Sequence, residues 1–422
     1  MNTIITITNF ITSLGSTVML PIIILILGLI LKMKLSKAIV SALTIGVGFV
    51  GLGLIINLLV GALDPATKIL IDKFKLNLVA LDVGWPVGSA IAFGTTIGAL
   101  IIPIIFLFNI ILLSLKLTKT LDVDIWNYWH FAFSGSIAYL WSGNNLIVGI
   151  VVALIHCFIS FKIADITASK VQDFFNIPGI SIPQGFATTT VPIVFILDKI
   201  IDRIPVIKDI NINIESIQKR FGILGVPLVI GTIIGLILGL LSYGFKKDSL
   251  NLAIQMGAIM VLCPRIISIF MEGFAPVSEA AREFMQKRFK NQEFNIGLDS
   301  AIMIGHTTTI LVGAILIPIT LILSFILPGN KVLPFADLAS TAFFVAFVTP
   351  LVKGNFFRTL IYGIVIMIVV LYVSSGFAEG LTTIAKNIGY EFPANSSMIT
   401  GLSEGNWIAY ILTNIARLIT GN

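Results

Sequence analysis

The sequence predicts an all-α integral membrane protein of about eleven transmembrane helices, arranged as two inverted five-helix repeats with re-entrant hairpins. Three observations predict it. Of 422 residues, 57% are hydrophobic and 11% charged, where a soluble domain averages ~25% charged, and the mean hydropathy is +1.03. Apolar runs of about 18 residues or more recur from end to end, each long enough to cross a ~30 Å hydrocarbon core, and leave no segment for a soluble domain. A block of sequence also repeats at a spacing of 211 residues.

The first apolar run, Phe10 to Leu31, has no Lys or Arg before it, whereas Lys32, Lys34 and Lys37 follow it. That asymmetry predicts an uncleaved first span that starts outside. Further spans are expected at about 38–62, 96–116, 126–142, 145–161, 221–244, 250–274, 307–327, 334–352, 356–375 and 405–420. An odd number places the termini on opposite sides. With the N-terminus outside, the inner loops and tail hold roughly nineteen Lys and Arg against about seven in the outer loops, so the expected topology is N-out, C-in. The net charge of +6 then reads as loop charge beside anionic lipid, and no nucleic-acid partner is expected.

The repeated block aligns Ser89-Ala90-Ile91-Ala92-Phe93-Gly94-Thr95-Thr96 with Ser300-Ala301-Ile302-Met303-Ile304-Gly305-His306-Thr307, Gly143-Asn144 with Gly354-Asn355, and Pro65 with Pro276. Each unit holds about five spans, so the second is expected to insert upside down relative to the first, as carriers do. The first repeat is expected over 1–161 and an inter-repeat cytoplasmic loop, with a short apolar segment at 180–197, over 162–220. The second repeat is expected over 221–375, and an outer loop with the last helix over 376–422.

The stretches Gly84–Leu115 and Gly297–Leu327 each run for about 30 mostly apolar residues, too long for one untilted span and too short for two. A re-entrant unit near 84–96, and another near 297–307, each followed by a full helix, fits that length. Gly84, Pro86, Gly88 and Gly94 break the first unit, and Gly297 and Gly305 the second. Broken backbone at membrane depth is tolerated only against protein or a water-filled cavity, so substrate is expected at these tips.

Asp299 and His306 are the leading candidates. Placing an Asp at depth costs about 2.5–3.5 kcal/mol on insertion scales, and such groups usually line a substrate path. Their counterparts in the first repeat are Gly88 and Thr95. Asp299 would accept hydroxyl hydrogen bonds, His306 would donate or accept, and Thr95 and Thr96 would complete the ring. A tip that reaches the headgroups and pairs with a lysine is the competing reading. His130, in Trp126-Asn127-Tyr128-Trp129-His130-Phe131, fits either an interfacial aromatic belt or a polyol contact in which the imidazole and Asn127 bond hydroxyls. His156 reads as a core histidine, Arg265 as structural, and Cys157 and Cys263 as small core residues without metal spacing. Gly46-Val47-Gly48-Phe49-Val50-Gly51 fits GxGxxG only formally, since it lies mid-span, where small residues serve helix packing. No nucleotide, metal or nucleophile motif is found, so no cofactor and no catalysis by this chain alone are expected.

Several segments carry a family resemblance. Leu81-Asp82-Val83-Gly84-Trp85-Pro86, Ala92-Phe93-Gly94-Thr95, Thr118-Lys119-Thr120-Leu121, Asp124-Ile125-Trp126-Asn127-Tyr128-Trp129-His130, Ser278-Glu279-Ala280-Ala281-Arg282-Glu283-Phe284, Gly297-Leu298-Asp299-Ser300-Ala301-Ile302 and Leu327-Pro328-Gly329-Asn330 together resemble the galactitol-type membrane component, enzyme IIC, of the bacterial phosphoenolpyruvate-dependent sugar phosphotransferase system. The resemblance runs over nearly the whole chain. It implies a multi-pass carrier of the bacterial cytoplasmic membrane that binds an external hexitol and moves it inward, where a separate phosphocysteine-bearing IIB protein, charged by IIA, phosphorylates it. It also implies kinship with the ascorbate-type IIC proteins, which are homodimers with a scaffold and a mobile core. By position, the family pattern places ligand contacts at Thr95, His130, Gln184, Asp299 and His306.

The mechanism expected is elevator-like alternating access, with a core of the two hairpin units moving against a scaffold of the first, second, sixth and seventh spans. The alternative is an ion-coupled secondary transporter or facilitator for a small polar solute, independent of IIB.

Overall fold

The chain first forms α1 (Gly15–Ile30), α2 (Leu35–Phe74), β1 (Ala80–Asp82), α3 (Gly84–Gly94), α4 (Thr96–Ser114), β2 (Thr120–Asp122), α5 (Tyr128–Trp141), α6 (Leu146–Phe175), β3 (Ile180–Ser181) and α7 (Gly185–Ile201). There follow α8 (Pro227–Tyr243), α9 (Lys247–Arg288), β4 (Asn295–Gly297), α10 (Ala301–Ile304), α11 (Thr307–Ile326), β5 (Val332–Leu333), a 3-10 turn (Ala336–Ser340), α12 (Thr341–Phe344), α13 (Val348–Leu351), α14 (Phe356–Asn387), β6 (Met398–Thr400), a second 3-10 turn (Leu402–Glu404) and α15 (Trp407–Thr420). This computed structural model describes residues 15–74, 79–122, 124, 127–205, 208–210, 227–288, 294–334, 336–388 and 398–421.

Helices α1, α2, α8 and α9 pack on one another. Small residues set the spacing: at Gly51 of α2 a Cβ would lie 2.9 Å from the Ile266 side chain of α9, so only glycine admits that approach. Val40, Leu43, Val47 and Leu54 on α2, with Ile254 on α9, are exposed, an apolar surface suited to lipid. At 40 and 42 residues, α2 and α9 are about twice what a crossing needs. The stretches expected as loops after them therefore begin as helix, through Phe74 and through Arg288, with Pro65 and Pro276 inside the two helices. Among the described residues, α6, α11 and α14 are both long and apolar enough to cross a membrane, with mean hydropathies of 2.5, 2.6 and 2.3.

Other boundaries differ from expectation. The 162–220 stretch is not a plain loop: α6 continues to Phe175, and β3 and α7 follow, while 206–207 and 211–220 lie outside the described residues. The 334–352 span is instead a 3-10 turn and two single-turn helices, and the outer loop expected from 376 begins as helix, because α14 runs on to Asn387. The turn before α6 holds Gly143 and Asn144 at positive φ, and that before α14 holds Lys353 and Gly354 likewise. Asn145 and Asn355 cap the two helices. The structural spacing here is thus 210, one less than the sequence alignment of this turn.

An all-α expectation also misses two small parallel sheets, ordered β5-β1-β6 and β2-β4-β3. Ala80 aligns with Val332 and Met398; Ile296 aligns with Leu121 and Ile180. In each sheet the central strand comes from one half of the chain and both outer strands from the other. Outer strands inside an apolar protein present unpaired backbone groups, and helix or turn side chains meet them. Asn109 donates to Thr120 C=O at 2.8 Å and accepts from Asp122 N–H at 2.9 Å. Gln172 donates to Ile180 C=O, Asn330 to Val332 C=O, and Thr382 Oγ1 accepts from Ile399 N–H.

Candidate functional site

Both broken helices end on a candidate residue. Thr95 stands extended between α3 and α4, its Oγ1 accepting from Gly98 N–H at 2.9 Å while it donates to Ala92 C=O and meets Ser136 Oγ at 2.7 Å. His306 is likewise extended between α10 and α11, and its Nδ1 accepts from Thr308 N–H at 3.2 Å. A side-chain acceptor at this position satisfies one of the orphan N–H groups of a helix start. The His306 ring packs against Phe174, centroid to centroid 4.8 Å, and is partly exposed.

His130 and Gln184 meet. Gln184 caps α7, its Oε1 accepting from Ala187 N–H at 2.5 Å, and its Nε2 lies 2.6 Å from His130 Nε2. With the amide oxygen used as a cap, the amide nitrogen donates and the ring accepts, so His130 carries its proton on Nδ1. Gly185 permits the approach: a Cβ there would lie 2.6 Å from His130 Cβ. Trp129 lies against the His130 ring at 3.7 Å between centroids.

A third group gathers where β2 and β4 end. Asn127 donates through Nδ2 to Asp122 Oδ1 at 2.9 Å, and Asp124 and Asp299 both lie within electrostatic reach of Asp122. Asp299 Oδ1 accepts from Ala301 N–H at 2.7 Å. Asp122 Oδ2, Asn127 Oδ1 and Ser300 Oγ are buried without a hydrogen-bond partner. Buried oxygens in this condition are rare in folded proteins and require a donor.

The structure therefore joins His130 with Gln184, and Asn127 with Asp122 near Asp299. Among the described residues no hydrogen bond or ring contact joins Thr95 or His306 to those groups. Thr96 opens α4 with an exposed side chain, and Trp126 lies outside the described residues. Sequence reading missed Asp122 and Ser300; the available signal was the carboxylate pair Asp122 and Asp124, two positions apart beside the aromatic run. It missed Asn406 too, which caps α15 and donates to His156 Nε2 and to Gly185 C=O at 3.0 and 2.7 Å. His156 Nδ1 meets Ser134 Oγ at 3.0 Å, so the core histidine is held from both sides.

Long apolar helices, interrupted helices at Thr95 and His306 and buried polar groups among them are the construction of a membrane transport protein. The chain belongs to the EIIC-GAT family, the PTS system sugar-specific permease component, whose profile matches residues 9–395. It is 45% identical over 410 residues to the "Putative permease IIC component" of Escherichia coli (strain K12), covering 97% of this chain and 94% of that protein. To the PTS system galactitol-specific EIIC component of the same strain it is 40% identical over 381 residues, covering 90% of this chain and 84% of that protein.

Proposed function

We propose that this chain is the membrane permease for galactitol or a related polyol, which it binds and moves inward for phosphorylation by a separate IIB protein that IIA has charged. The observation that carries the reading is the set of buried, unpartnered oxygens at Asp122, Asn127 and Ser300, with Asp299 near Asp122. Such a site is short of donors, and a polyol supplies a row of hydroxyl donors while bringing no charge that would have to be desolvated. The identity to a galactitol-specific EIIC component points to the same substrate class. Thr95, Thr96, Asn127, His130, Gln184, Asp299 and His306 are assigned to the ligand, with Asp122 and Ser300 added.

The two halves of the chain are read as inverted repeats, inserted N-out and C-in. Support comes from the matching breaks at Thr95 and His306 and from two sheets whose central strands are exchanged between halves. Transport is alternating access of an elevator kind, with a homodimer scaffold in α1, α2, α8 and α9, whose exposed apolar residues leave surface for lipid and a second copy. Phosphorylation turns a neutral solute into an anion that an apolar route rejects, which makes uptake unidirectional.

The test is uptake of radiolabelled galactitol by vesicles containing only this chain, with and without phosphorylated IIB. Phosphorylated product accumulating only with IIB supports the proposal; accumulation driven by an ion gradient without IIB supports the ion-coupled alternative. A polyol panel measured by calorimetry, including arabitol and ribitol, identifies the substrate.

A further inference from the structure

Glu404 is 1% exposed, and both of its carboxylate oxygens lack a hydrogen-bond partner. It ends the 3-10 turn Leu402–Glu404, and its carboxylate is wedged between Gly88 of α3 and Gly401: a Cβ on either glycine would overlap it. The charged groups facing it are Asp337 and Asp82, both fully buried. Helix α3 has no titratable side chain, and α14 contributes Ser374, bonded to Gly401 C=O, and Val370 beside Gly405.

These three carboxylates differ in what holds them. Asp82 accepts from Gly84 N–H at 3.0 Å and from Asp337 N–H at 2.9 Å. Asp337 accepts from Trp85 N–H at 2.9 Å and from Ser403 N–H at 2.8 Å. Backbone dipoles therefore stabilise negative charge on the two aspartates. Among the described residues Glu404 receives no donor from any other residue, only its own backbone N–H acting on its charge; it is wedged between two glycines and faces both aspartates. A carboxylate so placed takes up a proton rather than remain charged.

We propose that Glu404 is a proton-binding site, occupied in the conformation described, that stands apart from the polyol site. Its seat is built by both halves of the chain, Gly88 from one and Gly401 from the other. Separation of α3 from the 398–404 segment opens the seat to water and releases the proton.

Infrared spectroscopy of the purified full-length protein tests this without any ligand. At neutral pH the wild type is expected to show the carbonyl stretch of a protonated carboxylic acid, and Glu404→Gln to lose it. Absence of that band from the wild type, or an undiminished band in the variant, overturns the proposal. Should the variant fail to fold, wild-type protein made with 13C-carboxyl glutamate decides: the band shifts to lower frequency if it arises from a glutamate, of which Glu404 is the buried one among the described residues, whereas an unmoved band belongs to an aspartate and overturns the assignment. Failure of galactitol binding leaves this readout unaffected, so the two proposals fail separately.

Discussion

Thr95 and His306 stand 211 positions apart in equivalent roles, since each ends a broken helix and caps the next one, Thr95 Oγ1 accepting from Gly98 N–H and His306 Nδ1 from Thr308 N–H. The histidine differs in one respect. With Nδ1 accepting, its proton sits on Nε2 and is available to a ligand oxygen.

His306→Ala is accordingly expected to remove both a cap and a donor. Loss of the cap costs about 0.5–2 kcal/mol of stability, read by thermal unfolding, and loss of the donor weakens galactitol binding roughly tenfold. His306→Asp, whose ionised carboxylate caps but has no proton to donate, is expected to recover stability without recovering affinity. Recovery of both would assign His306 to structure alone.

Asp299→Asn and Asp122→Asn each replace an acceptor beside the unpartnered oxygens. Each is expected to weaken polyol binding by roughly ten- to a hundredfold, the cost of leaving a buried hydroxyl without its acceptor. Calorimetry with galactitol measures this; wild-type affinity in both variants removes this cluster from the ligand site.

The His130–Gln184 contact sets a direction for pH. A second ring proton on His130 would place Nε2–H against the Gln184 amide N–H, donor to donor, so binding is expected to weaken as the pH falls. Gln184→Glu, which offers an acceptor to a doubly protonated ring, is expected to flatten that dependence. Binding titrations from neutral to acid pH distinguish the two.

Gly88→Ala drives a methyl group into the Glu404 carboxylate and is expected to cost about 1–3 kcal/mol, as overpacking does. The double variant Gly88→Ala with Glu404→Ala has room for that methyl group, so thermal unfolding should show a coupling between the two changes.

Arg358 bonds Asp198 at 2.8 Å and Asp202 at 2.7 Å, and Tyr362 donates to the same Asp198 oxygen at 2.5 Å, tying the start of α14 to the end of α7. The Arg358 side chain is 15% exposed and that of Asp198 29%, so the pair is screened only in part. Arg358→Ala is expected to lower the unfolding temperature more than Lys37→Ala, whose partner Glu279 stands 3.7 Å away at the surface and whose pairing contributes about 0–1 kcal/mol.

The amino-acid sequence by itself determined that this protein lives in a membrane, because hydropathy is written residue by residue; of the expected breaks, those after Gly94 and Gly305 are present, whereas α3 runs unbroken through Pro86 and Gly88. Asp299, His306, Thr95 and Gln184 stood out as candidates because they are polar groups conspicuous in apolar runs or in family motifs. The two sheets were decided only in three dimensions: strands of two or three residues carry no period, and their pairing across 115 positions or more, as between Ile180 and Ile296, depends on which segments the helices bring together. Asp122, Ser300 and Glu404 belong to the same class. A carboxylate or a hydroxyl is ordinary in sequence, and becomes informative only when burial removes its water and the fold supplies no partner in exchange.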